Sequence, residues 1–160
     1  MKSNMQKLKF FFTSEWTFNK LNSVFGWIVF FIALLTYYMT LEPTTSFWDC
    51  GEYIATAYKL QVGHPPGAPL YLILGNFFSN LGFGASNVAF MINLMSAICS
   101  AFTILFLFWS ITLLIKKNFK DKLEHLKSKY LIILSATVGS LVYTFSDSFW
   151  FSAVEGEVYA

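Results

Sequence analysis

The sequence has few charged residues: only 12% of its 160 amino acids carry a charge, whereas 56% are hydrophobic and 20% are aromatic. Soluble domains carry about 25% charged residues, so this scarcity excludes an ordinary soluble domain. The formal net charge is only +2, and the lysines lie in two clusters rather than along a stripe with aromatics between them. This distribution excludes a nucleic-acid-binding protein. The composition therefore predicts an integral membrane protein.

Cysteine is also scarce, with only two residues in the chain. Cys50 lies in a polar segment, whereas Cys99 lies inside an apolar run that a partner at the surface cannot reach. We therefore predict no disulfide and a packing role for both cysteines. The sequence also contains no glycosylation sequon, phosphate-binding glycine loop or internal repeat. Any functional prediction must rest on the few polar residues.

Three apolar segments are long enough to cross a bilayer, which requires about 20 predominantly apolar residues. Residues 21–41 and 87–115 meet this requirement without a single charge. The third segment, residues 130–146, is shorter, and residues 149–154 offer a possible extension. A further apolar segment at 69–83 is too short for a confident span and is interrupted by glycine.

Lysine placement decides the topology, because Lys and Arg in short loops stay on the cytoplasmic side. One cluster precedes the first span and the other precedes the third; they comprise Lys2, Lys7, Lys9 and Lys20, and Lys116, Lys117, Lys120, Lys122, Lys127 and Lys129. Both clusters face the cytoplasm only if residues 69–83 lie in the outer interface instead of crossing. The sequence thus predicts three spans, a cytoplasmic amino terminus and an external interfacial region at 46–84. The acids near the end of the chain are then external as well.

The external region is predicted to begin with a short interfacial helix over residues 48–61. Its polar residues recur at helical spacing and form one stripe, namely Asp49, Glu52, Thr56 and Lys59. Ser46 is the expected N-cap. One interpretation of Asp49 and Glu52 is structural, because acids in a first turn stabilise the helix dipole by about 0.3 to 1 kcal/mol. The other is catalytic, because a carboxylate beside an apolar wall can take a proton from a hydroxyl.

A second polar element follows at His64. Pro65 and Pro66 favour an extended turn, after which a helix is expected to open at Gly67 or Ala68. His64 either caps this bend or meets a phosphate together with nearby Lys59. The residues themselves leave both interpretations open.

Two motifs carry a resemblance to a known family: Phe47 to Ala57, which includes the acid pair, and Gln61 to Pro69, which includes the His-Pro-Pro element. They resemble bacterial membrane proteins long catalogued as a domain of unknown function, whose relatives include a protein O-mannosyltransferase of animals. The order of the two motifs is similar to that in the GT-C superfamily, glycosyltransferases that use polyprenyl-phosphate sugars. The resemblance covers residues 27–160. It implies an all-α integral membrane fold with three transmembrane helices and two interfacial helices, forming the amino-terminal part of a longer polytopic domain.

The resemblance also implies roles for single residues. Asp49 matches the base that deprotonates an acceptor hydroxyl, while Glu52 orients the acceptor or is itself the base. The adjacent Asp-Glu pair of classical protein mannosyltransferases is separated here by Cys50 and Gly51, so the choice of base stays open. The expected substrate-binding residues are Lys59, His64, Pro65, Pro66, Glu155, Glu157 and Tyr159. No metal and no other cofactor is expected, with a divalent ion held by Asp49 and an acid beyond Ala160 as the alternative.

We therefore hypothesise a membrane glycosyltransferase that moves a sugar, mannose by resemblance, from a polyprenyl phosphate to a Ser or Thr hydroxyl of a polypeptide. The expected place is the outer face of a bacterial inner membrane, in a multi-pass protein. Expected partners are the lipid bilayer, the lipid-linked donor, the polypeptide acceptor and other membrane proteins. A transporter segment and a noncatalytic scaffold are the alternatives. A transporter should carry ionisable residues within its spans, and the first two spans have none.

Overall fold

The computed structural model describes residues 2–118 and 126–158 of the chain. Within these residues every regular element is helical, which confirms the all-α prediction. The elements in chain order are α1 (Lys2–Met39), α2 (Cys50–Lys59), α3 (Pro69–Leu81), a 3₁₀ turn (Ala85–Asn87), α4 (Val88–Asn118), α5 (Leu126–Thr144) and α6 (Asp147–Ala153). Four residues named above lie outside the described part of the chain, namely Lys120, Lys122, Tyr159 and Ala160.

Two described helices are long and apolar enough to cross a membrane. They are Phe18–Met39, with a mean hydropathy of 1.7, and Ala85–Asn118, with a mean hydropathy of 2.3. These helices correspond to the first two predicted spans. The helical segments Ser128–Thr144 and Asp147–Ala153 reach the same criterion only as a pair, and a bend of 68° separates them. The last helix therefore does not extend the third predicted span in a straight line, and that span stays a prediction.

The long helices pack against one another around an apolar core. Val29 of α1, Phe108 of α4 and Ile133 of α5 are all fully buried or nearly so. Small residues at the same contacts, such as Ala97 and Ala136, are also fully buried. Small side chains let helix backbones approach closely, which is how helices associate where lipid removes the hydrophobic driving force.

A second apolar cluster joins α2 and α3 to the start of α4. Cys50 and Ile54 of α2 pack with Leu72 of α3 and Ile92 of α4. At the end of α2, the Asn76 side chain of α3 donates hydrogen bonds to two main-chain carbonyls, of Ala57 at 3.1 Å and Tyr58 at 3.0 Å. Carbonyls in a last helical turn have no partner within their own helix, so this side chain supplies one. The α2–α3 pair thus rests on the first turns of α4.

The beginning of α2 differs from its prediction. Ser46 is not the N-cap: the cap residue is Asp49, whose side chain makes no capping hydrogen bond. Trp48 has a φ of 58°, in the left-handed region, so the chain turns sharply there and the helix starts only after it. Asp49 therefore stands at the helix end and Thr56 is buried, so the predicted polar stripe is incomplete.

The beginning of α3 also differs. The helix starts at Pro69 rather than at Gly67 or Ala68. Gly67 has a φ of 77°, which a right-handed helix cannot contain. Proline suits the first helical position because the missing N–H would have no partner there.

The end of the described chain returns to the same end of the helix bundle as α2. The Glu42 N–H donates to the Val154 carbonyl at 3.0 Å, and Trp150 Nε1 donates to Thr40 Oγ1 at 2.9 Å. These bonds fasten the segment after α5 to the loop after α1. Residues 154–158 consequently approach the α2 acids.

Candidate functional site

Asp49, Glu52 and His64 converge at the amino-terminal end of α2. His64 Nδ1 lies 3.0 Å from Glu52 Oε2, and the His64 backbone N–H donates to Glu52 Oε1 at 2.7 Å. His64 Nε2 lies 3.9 Å from Asp49 Oδ2. One oxygen of the Glu52 carboxylate thus holds the His64 backbone and the other holds its ring, which lies beside the Asp49 carboxylate. These predicted site residues form one cluster although 15 positions separate the first from the last.

The turn that carries His64 leaves room for the Glu52 carboxylate to lie against it. A Cβ on Gly63 would lie 3.0 Å from Glu52 Oε1, closer than real Cβ atoms normally come, so only glycine fits without a shift. The Gly67 N–H donates to the His64 carbonyl at 3.0 Å and closes the turn. Within it the Pro65–Pro66 peptide bond is cis, and both prolines are exposed.

The cluster has mutually reinforcing electrostatics. Hydrogen bonds from the His64 backbone and ring lower the pKa of Glu52. The same Glu52 hydrogen bond and charge, helped by Asp49, raise the pKa of His64. Opposite charges favour each other's ionised forms. All three side chains remain accessible to solvent, with exposed fractions of 58% for Asp49, 39% for Glu52 and 45% for His64, so a ligand can reach them.

Two further predicted residues approach from the end of the chain. Glu155 is only 2% exposed, and Glu157 is partly buried. Burial, helped by the carboxylates of Glu155 and Asp49, raises the pKa of Glu157. Since Asp49 acts on Glu157 electrostatically, the terminal acids belong to the same polar region as the α2 cluster.

Cys50 lies beneath this region and is fully buried. Burial raises the pKa of its thiol, although hydrogen bonds from the backbone at Ser46 and Gly156 act in the opposite direction. A buried thiol with a raised pKa is unreactive. Both cysteines of the chain are free, which agrees with the prediction of no disulfide.

Lys59 is not part of the cluster. It is the last residue of α2, seven positions after Glu52, and an α-helix rises about 1.5 Å per residue, which separates the two by roughly 10 Å. Its ammonium lies 4.9 Å from the centre of the Tyr58 ring. The sequence interpretation that paired Lys59 with His64 at one phosphate is therefore not supported by their positions. Tyr159, the remaining predicted residue, lies outside the described residues.

Two residues of this region, Tyr53 and Asn93, were not predicted from the sequence. The Tyr53 ring lies 6.1 Å from the His64 ring and 5.6 Å from the Tyr71 ring, and forms an aromatic wall beside the cluster. Asn93 of α4 is fully buried and contacts the loop after α1. A signal for Asn93 was present, because an amide early in a long apolar run is costly in a membrane unless it has a role.

The α2 cluster is also a group of possible metal ligands. One ligand atom from each of Asp49, Glu52 and His64 lies within 4.8 Å of the others. Carboxylate and imidazole donors together suit divalent cations. No ligand spacing of this kind is visible along the sequence, because the group forms only when the His64 turn folds back onto α2. Metal-free chemistry stays a prediction.

The fold and the polar region define the class of the chain as a helical membrane protein with an acid and histidine site after its first long helix. The family model described as the protein O-mannosyl-transferase TMEM260 N-terminal domain matches residues 49–160, and the chain belongs to this family. The predicted resemblance to protein O-mannosyltransferases is thereby confirmed. The match begins at Asp49, so it contains every described residue of the site.

Two curated relatives illustrate the similarity. Protein O-mannosyl-transferase tmem260 of Dictyostelium discoideum is 29% identical over 134 residues, which cover 83% of this chain and 14% of that protein. Protein O-mannosyl-transferase TMEM260 of Mus musculus is 32% identical over 83 residues, which cover 52% of this chain and 12% of that protein. The chain thus aligns with about a seventh or less of each relative's length. No solved structure matches the chain.

Proposed function

We propose that the chain is the amino-terminal part of a glycosyltransferase that moves mannose from a polyprenyl phosphate to a Ser or Thr hydroxyl of a protein. Family membership and the names of the relatives support O-mannosyl transfer. Because the chain corresponds to a small part of each relative, the complete activity belongs to the full-length protein. This part would supply the base and contacts to the leaving phosphate.

The observation that carries the proposal is the unequal use of the two α2 acids. Glu52 has both oxygens engaged by His64, and these hydrogen bonds lower its pKa, so it is a poor proton acceptor. Asp49 is more exposed, and its contact with His64 is the longer one, at 3.9 Å. We therefore assign Asp49 as the general base and Glu52 as the residue that orients His64.

The proposed reaction is a single displacement with inversion at the sugar. The acceptor oxygen bonds to the anomeric carbon as its proton passes to the Asp49 carboxylate. The bond from that carbon to the phosphate oxygen breaks, and the lipid phosphate leaves with the electron pair. His64, whose raised pKa favours the imidazolium form, lies where it can stabilise charge developing on the phosphate.

The remaining predicted residues have supporting roles in the proposal. Pro65 and Pro66 shape the donor side of the His64 turn. Glu155, Glu157 and Tyr159 belong to the proposed substrate-binding residues, with sugar or acceptor hydroxyl groups as their ligands. Lys59, at the far end of α2, attracts anionic lipid rather than the reacting phosphate.

We also propose that α2 and α3 lie in the outer membrane interface, with the amino terminus in the cytoplasm and α5 as the third span. The exposed residues of α3 support this placement. Leu70, Ile73 and Phe77 follow at helical spacing on one face and are 61% to 70% exposed. Phe47 and Trp48, beside the site, are exposed as well. A helix with one apolar face lies in an interface rather than in water.

The test uses the full-length protein in lipid vesicles with a threonine-containing acceptor peptide. Polyprenyl-phosphate mannose is the donor, and mass spectrometry of the peptide is the measurement. The expected result is the addition of one hexose to the peptide and no addition to a matched peptide with alanine in place of threonine. Nucleotide-linked mannose without the lipid donor should give none. Transfer from the nucleotide sugar alone would refute the donor class, and no transfer from either donor would refute the enzyme assignment.

A further inference from the structure

Gly156 lies at the point where three helices meet. A Cβ at this position would come within 3.2 Å of three atoms: Ile54 Cγ1 of α2, Tyr71 Oη of α3 and Asn93 Oδ1 of α4. Contacts this short are tighter than ordinary van der Waals contact, so each neighbour would have to move. Glycine is thus required here because atoms approach closely from three directions. The φ of Gly156 lies outside the left-handed region and does not itself require glycine.

Asn93 connects this point to the loop that leads into α2. Its amide Nδ2 donates to two main-chain carbonyls, of Glu42 at 2.7 Å and Thr44 at 2.8 Å. The Oδ1 of the same side chain faces Gly156. The fully buried Asn93 side chain therefore contacts two chain segments. One is the loop that leads to Asp49, and the other is residue 156, between Glu155 and Glu157.

Cys50 of α2 is buried next to the same segment that contains Gly156. The backbone at Ser46 and at Gly156 lowers the pKa of its thiol, which burial raises, and the side chain has no exposed surface. Cys50 directly follows Asp49, so a shift of residues 155–157 away from α2 would uncover the thiol next to the proposed base.

We propose that Asn93 and Gly156 form a positioning junction that holds the Glu155 and Glu157 segment against the Asp49 end of α2. The existence of the junction follows from packing alone, whereas its effect on sugar transfer rests on the proposed function. Asn93 and Gly156 act through the acids and do not touch the reacting atoms.

The test introduces Gly156→Ala and Gly156→Val into the full-length protein in membranes. The matched controls are Gly84→Ala and Gly84→Val, because a Cβ on Gly84 meets only Ser86 Oγ, at 3.9 Å, and its φ of 171° is ordinary extended backbone. A membrane-impermeant maleimide is applied, and modification of Cys50 is quantified by peptide mass spectrometry. We expect Cys50 labelling to rise from alanine to valine at position 156 and to stay at the wild-type level in both Gly84 variants.

Two further variants separate a displaced junction from general misfolding. Asn93→Leu has a similar volume but no donors for the two carbonyls, and should also raise Cys50 labelling. Tyr71→Phe removes one of the three atoms that a Cβ at position 156 would meet, so combining it with Gly156→Ala should lower the labelling below that of Gly156→Ala alone. A globally misfolded Gly156→Ala protein would not be rescued in this way. Equal labelling of Cys50 in the Gly156 and Gly84 variants would overturn the junction.

The positioning role has its own measurement, the pH profile of mannosyl transfer. Glu157 interacts electrostatically with Glu155, Asp49, Cys50 and Tyr71. If residues 155–157 move outward, Glu157 gains solvent and leaves Asp49, so its raised pKa falls. The acidic side of the pH–rate profile should therefore shift to lower pH in Gly156→Ala, and kcat should fall. Increased Cys50 labelling with an unchanged rate and pH profile would overturn the positioning role and leave the proposed function intact.

Discussion

Replacing Asp49 and Glu52 one at a time tests which of the two acids is the general base. Asp49→Asn keeps the size of the side chain, and it removes no capping hydrogen bond because the Asp49 side chain makes none. The amide cannot accept a proton from an attacking hydroxyl. If Asp49 is the base, the rate of transfer should fall by about 10² to 10⁴, the usual contribution of a positioned general base.

Glu52→Gln should act differently, because Glu52 contacts His64 at 2.7 Å and 3.0 Å through its two oxygens. The substitution turns one of these acceptors into a donor and removes the charge that raises the pKa of His64. His64 then loses its proton at lower pH, so the basic limb of the rate profile should move to lower pH. The loss of rate at neutral pH should be smaller than for Asp49→Asn.

The assay is initial-rate transfer by the full-length protein at equal abundance in membranes, over a range of pH. Glu42→Gln is the matched control, because Glu42 is an acid of the loop between α1 and α2 whose carboxylate contacts only Thr44 among the described hydrogen bonds. It should keep the wild-type rate. A severe loss in Glu52→Gln alone would show that Glu52 is the base. Normal turnover in both variants would remove these acids from the mechanism.

Three other predictions concern topology, pH and metal. In a protein without native cysteines, Ser86→Cys should react with an impermeant thiol reagent in intact cells and Ser128→Cys should not; the opposite pattern would refute the topology. The Glu52–His64 contact is lost as pH falls through the lowered pKa of Glu52, and it is also lost as pH rises through the raised pKa of His64. KM for the donor should therefore rise at both low and high pH. His64→Ala should abolish this pH dependence of KM. Transfer should survive EDTA, because a cation would have to displace His64 from Glu52; loss of activity that Mg²⁺ or Mn²⁺ restores would contradict metal-free chemistry.

The sequence alone determined the helical membrane class and the two segments that are long and apolar enough to cross a membrane. Composition decides these features, because an uncharged apolar run of more than 20 residues has few alternatives to a long helix in lipid. The short helices α2 and α3 were also predictable, from the polar spacing over residues 48–61 and from the prolines that precede Gly67. The boundaries of these two helices were less predictable. The left-handed backbone at Trp48 moved the start of α2 beyond the predicted cap.

Only the tertiary structure decided which polar residues meet. His64 reaches Glu52 across 12 positions because the turn folds back and Gly63 leaves room, whereas Lys59, nearer to His64 in sequence, lies at the other end of α2. The contact of Asn93 with Gly156 joins residues 63 positions apart and gives no periodic signal. Helical periodicity describes neighbours within one element. Contacts between elements depend on how their surfaces fit, and a single sequence does not display that fit.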